Sequence, residues 1–193
     1  MSAMSYFHFP ASVAYFFLAV MILRRAPRAP VNRLCASTLA CFGIWSIGVT
    51  FVHNPYHSRR LALLADNVGA VGWVGFGSLF VWFAAVFTDR KRLVRAWWFY
   101  TIPAVITAVL MYRQWTTGLL HDYRLHWFGW MGDWRESPWT YFFFFYYLST
   151  AVVGLYLIAE YARRAPNQRA RKQARVLFYT GLPPLVLGTL SNV

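Results

Sequence analysis

The stretch from Arg113 to Pro138 concentrates side chains suited to recognition. Trp115, Tyr123, Trp127, Phe128, Trp130 and Trp134 are interleaved with His121, Asp122, Arg124, His126, Asp133, Arg135 and Glu136. Aromatic faces beside an Arg can clamp a small organic or anionic ligand. Arg124, Trp127, Trp130 and Trp134 are therefore the candidate ligand-binding residues of this stretch. For any one of them the plainer account is an interfacial belt, because Trp and Tyr settle at headgroup depth with or without a ligand. Asp66 and Asn67 form a second candidate pair. An acid close to a bilayer is costly unless paired, which would make Asp66 functional with Arg59 or Arg60 as its partner. The simpler alternative is that Asp-Asn here only caps a helix.

Other chemistries find less support. His8, His53, His57, His121 and His126 lack the accompanying carboxylate or thiolate pattern of a zinc site. Cys35 and Cys41 share one apolar segment at a spacing that puts them on different helix faces, so no disulfide joins them. No Ser–His–Asp arrangement, Gly-rich phosphate loop or paired acids stand out, and Glu160 with Arg163 and Arg164 reads as a helix-end ion pair. Neither a catalytic set nor a cofactor is expected.

The elements that position these residues follow from composition. The 193-residue chain is 59% hydrophobic, 20% aromatic and only 13% charged, far from a soluble average of about 25% charged. Its net charge of +13 is bunched between apolar runs rather than spread over a face, which argues for topology control in a bilayer and against nucleic acid. A bilayer core about 30 Å thick needs roughly 20 apolar residues per helix. Six segments qualify, about 5–23, 34–53, 67–88, 96–112, 139–161 and 176–193. The first lacks a basic region ahead of it and is read as a retained helix rather than a signal peptide. The last is still apolar at Ser191-Asn192-Val193, so the chain is expected to stop inside a helix, as a truncated product would.

Fourteen of the nineteen Lys and Arg residues lie in alternate connections: Arg24, Arg25, Arg28 and Arg33; Arg90, Lys91, Arg92 and Arg95; Arg163, Arg164, Arg169, Arg171, Lys172 and Arg175. Cytoplasmic loops retain positive charge, so these connections are expected inside and the N-terminus outside. They could also attract anionic headgroups, although orientation alone accounts for them. Gly69, Gly72, Gly75 and Gly77 with Ala70 give the third segment a face that lets another helix approach, with Gly69 and Gly72 as the contact ridge. Pro103 and Pro183-Pro184 predict kinks or local unwinding. The connection of roughly 26 residues over 113–138 is longer than usual, and its alternation over Tyr123–Trp127 with turn signals at Gly129 and Gly132 predicts a short hairpin over the bundle mouth.

Several stretches together resemble the N-terminal seven-helix sensor region found upstream of bacterial histidine kinases and sometimes of diguanylate cyclases. They are Arg28–Arg33, Trp45-Ser46-Ile47-Gly48, Leu79–Thr88, the Ile102-Pro103 step, the long loop ending near Gly129-Trp130, the Tyr141–Tyr147 aromatic run, and Arg171–Asn192 with Gly181, Gly188 and Ser191-Asn192. The resemblance implies an all-α, polytopic bundle in a bacterial cell membrane, carrying six of seven helices. It further implies a cytoplasmic transmitter domain outside these residues, a homodimer, and a small-molecule ligand or membrane stimulus. A small transporter or a structural membrane subunit is the alternative. Against ion-coupled transport, the spans hold no mid-helix Asp, Glu, Lys or Arg, only small polar groups such as Ser37, Ser46, Ser78, Thr107 and Ser149.

Overall fold

The computed structural model describes the backbone of residues 3–190 and the side chains of residues 5–183. In chain order the elements are α1 (Ala3–Arg25), α2 (Pro30–Val52), α3 (Arg59–Phe87), a short α4 (Lys91–Arg95), α5 (Trp97–Thr116), the strands β1 (Leu120–His126) and β2 (Gly129–Trp134), α6 (Pro138–Arg164) and α7 (Gln168–Leu190). Four helices, α1, α2, α3 and α6, are long and apolar enough to cross a bilayer. Helices α5 and α7 occupy the fourth and last of the six expected segments.

Helix starts depart from expectation for local reasons. Helix α3 begins at Arg59, well before Asn67, because Ser58 caps it: its hydroxyl accepts from the Leu61 N–H at 3.3 Å. Helix α2 begins at Pro30, whose fixed φ suits a first helical turn. Asn167 caps the start of α7, its side-chain oxygen accepting from the Ala170 N–H at 2.7 Å, so the basic run Arg169–Arg175 is helical rather than a loop. Helix α7 stays helical through Pro183-Pro184, and its expected continuation over Ser191-Asn192-Val193 lies outside the described residues.

Helix α3 is the hub, packed on α2, α5 and α6, with α1 outside α2 and α7 outside α6. Its glycines make this possible. A Cβ on Gly72 would strike the Cys41 carbonyl and stand 2.8 Å from the Trp45 nitrogen, and one on Gly48 of α2 would stand 2.7 Å from the Ala65 carbonyl. Gly69 lies opposite Gly48. The α2 and α3 backbones are therefore in contact, the arrangement that small residues permit where lipid supplies no hydrophobic drive. Toward α6, Gly77 sits where a Cβ would come 2.7 Å from the Thr150 hydroxyl. Two apolar clusters fill the bundle. One joins Ala70, Trp73, Val74, Leu110, Leu119, Phe143 and Tyr146; the other joins Val81, Ala84, Ala85, Phe99, Leu157, Ile158, Ala162 and Ala174.

Between them lies a polar layer created by Pro103. Proline has no N–H, so the carbonyl four residues earlier, that of Phe99, loses its helical donor. The Trp82 indole N–H of α3 supplies one at 2.9 Å. The Pro103 carbonyl itself accepts from Ser78 at 3.1 Å and from Tyr146 at 3.3 Å, and the Ser78 hydroxyl also meets Thr107 and Tyr146, each at 2.6 Å. Helix α5 remains helical through Pro103 because neighbouring helices satisfy the freed groups.

The two ends differ in charge. At one end the α1–α2, α3–α4 and α6–α7 connections gather the basic residues, and Glu160 ties two of them together, pairing with Arg90 of the α3–α4 turn and with Arg164 at 2.8 Å. The ion pair expected of Glu160 thus reaches across to the α3–α4 turn as well as along α6, and Arg163 takes no part in it among the described residues. The opposite end carries the hairpin.

The glycine seam yields a contrast. Gly72→Leu should disrupt the α2–α3 contact, costing at least about 1–3 kcal/mol as other overpacked substitutions do. Gly75→Ala, whose Cβ would meet its neighbours at an ordinary 3.5 Å, should be nearly silent. Thermal unfolding in detergent micelles, followed by fluorescence-detected gel filtration, compares the two; equal melting temperatures would mean that the seam is not close-packed.

Candidate functional site

The hairpin is a tightly built lid over one end of the bundle. Strands β1 and β2 pair antiparallel, with Leu120 opposite Trp134, His121 opposite Asp133 and His126 opposite Gly129. The register shifts between His121 and Arg124, where Asp122 takes φ 46°, a bulge that re-aims the following side chain. That side chain is Tyr123, which points inward and lies over Gly132, where a Cβ would press into its ring. At the tip Gly129 has φ 135° and sits against the end of α2, its missing Cβ leaving room for His53 and the Val52 carbonyl. Only glycine meets both demands.

Beneath the lid Tyr123 donates to the Asp66 carboxylate at 2.7 Å. The Gln114 side-chain amide, from the last turn of α5, donates to the same Asp66 oxygen at 3.0 Å and to the Asn67 side-chain oxygen at 3.1 Å. The Gln114 oxygen in turn accepts from the Leu119 N–H at 2.8 Å, fixing the path from α5 into the hairpin. Gln114, Leu119 and Tyr123 are all buried. Burial, with the Asp66 carboxylate beside it, holds the Tyr123 phenol protonated far above its ordinary range, so it stays a donor. One carboxylate therefore joins α3, α5 and the hairpin through charge-assisted hydrogen bonds, roughly twice as strong as neutral ones.

Asp66 thus has neither of the local roles expected of it, cap or partner of a nearby Arg. It is not an N-cap, because α3 starts at Arg59 and Ser58 is the cap; nor is Arg59 or Arg60 its partner among the described ion pairs. Asn67 joins it in the same cluster. The four loop candidates are dispersed. Arg124 is largely exposed and faces Asp133 across the hairpin at 3.8 Å. Trp127 stands at the tip, 80% exposed. Trp130 is tied down, its indole N–H donating to the His57 carbonyl at 2.9 Å. Trp134 is part of the packing, stacked on Phe143 at 5.6 Å and edge-on to Trp73 at 5.8 Å. Sequence reasoning passed over Gln114 and left Tyr123 among the general aromatics. The available signal is a lone amide in the closing turn of an apolar helix, just before the long connection.

Residues 8–193 match the family described as the N-terminal 7TM region of histidine kinase. The chain belongs to this family. No curated protein and no solved structure matched. Membership makes the bundle a membrane sensor region, and within it the lid, the carboxylate cluster and the basic end acquire a context. Among the described residues no three His, Cys, Asp or Glu side chains come together at metal-binding range.

Next to the cluster the hairpin tip seals a line of rings running from His8 of α1 to His53 (5.6 Å between centroids), then Phe128 (5.8 Å) and His126 (5.3 Å). Burial, and secondarily the neighbouring His8, lower the His53 pKa to about 4. Unfolding would expose the ring and return it toward about 6.5, so the unfolded chain binds more protons between those values. The contribution is intact above about pH 6.5 and is lost as pH falls toward 4. Micellar melting temperatures should therefore fall over this window, and His53→Gln should flatten the fall; an identical pH profile for the variant would show that His53 is not responsible.

Proposed function

We propose that this region is the sensory input domain of a bacterial histidine kinase, set in the cell membrane with the lid outside, the basic end in the cytoplasm, and a transmitter domain following it in sequence. Six spans of a seven-helix bundle, worked as a homodimer, complete the reading. The observation that carries it is the Asp66 cluster. A single half-buried carboxylate holds both the lid and the end of α5, so a stimulus that displaces Tyr123 also changes what restrains a helix of the bundle. A signal needs two arrangements that differ in ligand affinity, and this linkage provides a route between them. The ligand, a small molecule or a membrane component, is proposed to meet Arg124, Trp127 and Trp130 on the lid first, with Asp66 and Asn67 as the groups it perturbs and Trp134 as the lid's fixed root. The polarity of the bundle supports the orientation, since Lys and Arg favour the cytoplasmic side.

Two experiments test this. Tyr123→Phe and Asp66→Asn in the full-length protein each weaken the cluster, and a loss of about 1.5–3 kcal/mol for a hydrogen bond to a charged group shifts a two-state balance roughly tenfold or more. Autophosphorylation in inverted membrane vesicles should shift by that order at unchanged protein level; output like wild type from both variants would remove the cluster from signalling. For orientation, Trp127→Cys in a chain whose Cys35 and Cys41 are replaced by Ala should react with an impermeant maleimide on intact cells, and Arg92→Cys only after permeabilisation. The reverse pattern would invert the topology.

A further inference from the structure

The basic end carries an unassigned feature on the membrane-facing side of α5. A shallow groove of about 570 Å³ runs between α3 and α5, lined by Trp82, Tyr100, Thr101, Ala104, Val105 and Ala108. Its floor is small because Thr101, Ala104 and Ala108 lie along one side of α5. Its length is set by the helix: from Tyr100 to Ala108 the rise is about 12 Å, close to the roughly 15 Å of one leaflet's hydrocarbon. Further along the same stripe, at spacings of four and three, stand Tyr112 and Trp115, 66% and 51% exposed. They stand beyond the groove, toward the lid end of α5. A helix lying along α5 would collide with them, whereas an acyl chain of a single leaflet would not reach them.

The other end of the groove opens at the interface. Trp97 and Trp98 are exposed there, at the level where indoles mark headgroup depth. The short α4 immediately precedes them and presents Arg92 and Arg95, both exposed and in no described ion pair, while Arg90 and Lys91 are engaged with Glu160 and Asp89. The Tyr100 hydroxyl makes no hydrogen bond among the described residues, although its ring packs on Trp82 at 5.6 Å between centroids. A shallow apolar groove about one leaflet long, the Tyr100 hydroxyl at one end of it and two exposed guanidinium groups on the preceding α4 match, in order, the acyl chain, ester carbonyl and anionic headgroup of a phospholipid.

We propose that the α3–α5 groove is a binding site for one anionic phospholipid from the leaflet at the basic end, with its acyl chain along Ala104 and Ala108, an ester oxygen on Tyr100 and its phosphate on Arg92 and Arg95.

The test uses the chain purified in a mild non-ionic detergent and native mass spectrometry, with phosphatidylglycerol and phosphatidylcholine of identical acyl chains competing at equal concentration. Wild type should retain one phosphatidylglycerol with a preference of roughly thirtyfold, as expected of two basic groups near a headgroup. Arg92→Gln with Arg95→Gln should abolish the preference while leaving lipid binding as such. Ala104→Phe with Ala108→Phe, both at exposed positions, should exclude the lipid. If the Phe pair fails to fold, the Gln pair still decides. Equal retention of both lipids by wild type, or a preference that survives the Gln pair, overturns the proposal. So does a Phe pair that keeps its lipid but changes the oligomeric state, which would make the groove a contact between protein copies.

Discussion

A backbone carbonyl buried among packed side chains has no water to turn to, and the placement of α5 follows from that constraint. Pro103 removes one donor from the helix, and an unsatisfied carbonyl in hydrocarbon costs several kcal/mol. The Trp82 indole N–H, bonded to Phe99, removes that cost only while α5 lies at one rotation and depth against α3. The hydroxyls of Ser78, Thr107 and Tyr146 around the Pro103 carbonyl add a second restraint from two helices. The proline is thus less a point of weakness than a register mark, read by side chains whose alternative partners are absent from lipid.

The same reasoning separates two kinds of helix contact. Helices α2 and α3 touch backbone to backbone through Gly48, Gly69 and Gly72; such a seam gains dispersion contacts over its whole length and tolerates little sliding. Helix α5 buries few side chains, chiefly Phe99, Leu110 and Gln114, and is held at three levels by hydrogen bonds: Trp82 toward the basic end, Ser78 and Tyr146 in the middle, Asp66 and Asn67 under the lid. A seam resists every displacement, whereas a set of separate hydrogen bonds can be released one at a time. The helices joined by glycines form the frame, and the helix joined by hydrogen bonds is the one suited to move.

What is legible in the sequence reflects which forces are local. The apolar segments stand out because lipid demands about 20 apolar residues in a row, and the charge bias of alternate connections is a matter of counting. The hairpin is legible too, because alternation at Tyr123–Trp127 and glycines at 129 and 132 are short-range signals; so is the Gly69–Gly72 ridge, since spacing alone puts small residues on one face. Helix starts are less so: Ser58 and Asn167 cap polar first turns that hydropathy assigns to loops. The partners of Asp66 are the hardest case. Gln114 and Tyr123 stand 48 and 57 residues away, and a bulge at Asp122, which no periodicity announces, turns Tyr123 inward. Judged by its neighbours in sequence, Asp66 looks like a cap or a partner for Arg59; only the closed lid reveals what it binds.

That lid also explains why the conspicuous aromatic residues differ in role. A hairpin of two strands is marginal by itself in water, so its order must come from what it rests on. Trp134 roots it in the core against Trp73 and Phe143, Trp130 fastens its far strand to the His57 carbonyl, Gly129 lets its tip meet the end of α2, and Tyr123 closes it on Asp66. Each contact reaches a different part of the bundle, and the last is linked onward to α5 by hydrogen bonds through Gln114. Releasing the Trp134 contacts would unseat the hairpin altogether, whereas releasing Tyr123 leaves the other three in place and alters a single restraint. A cap that reports on its surroundings needs that division between contacts that keep it folded and one that can let go.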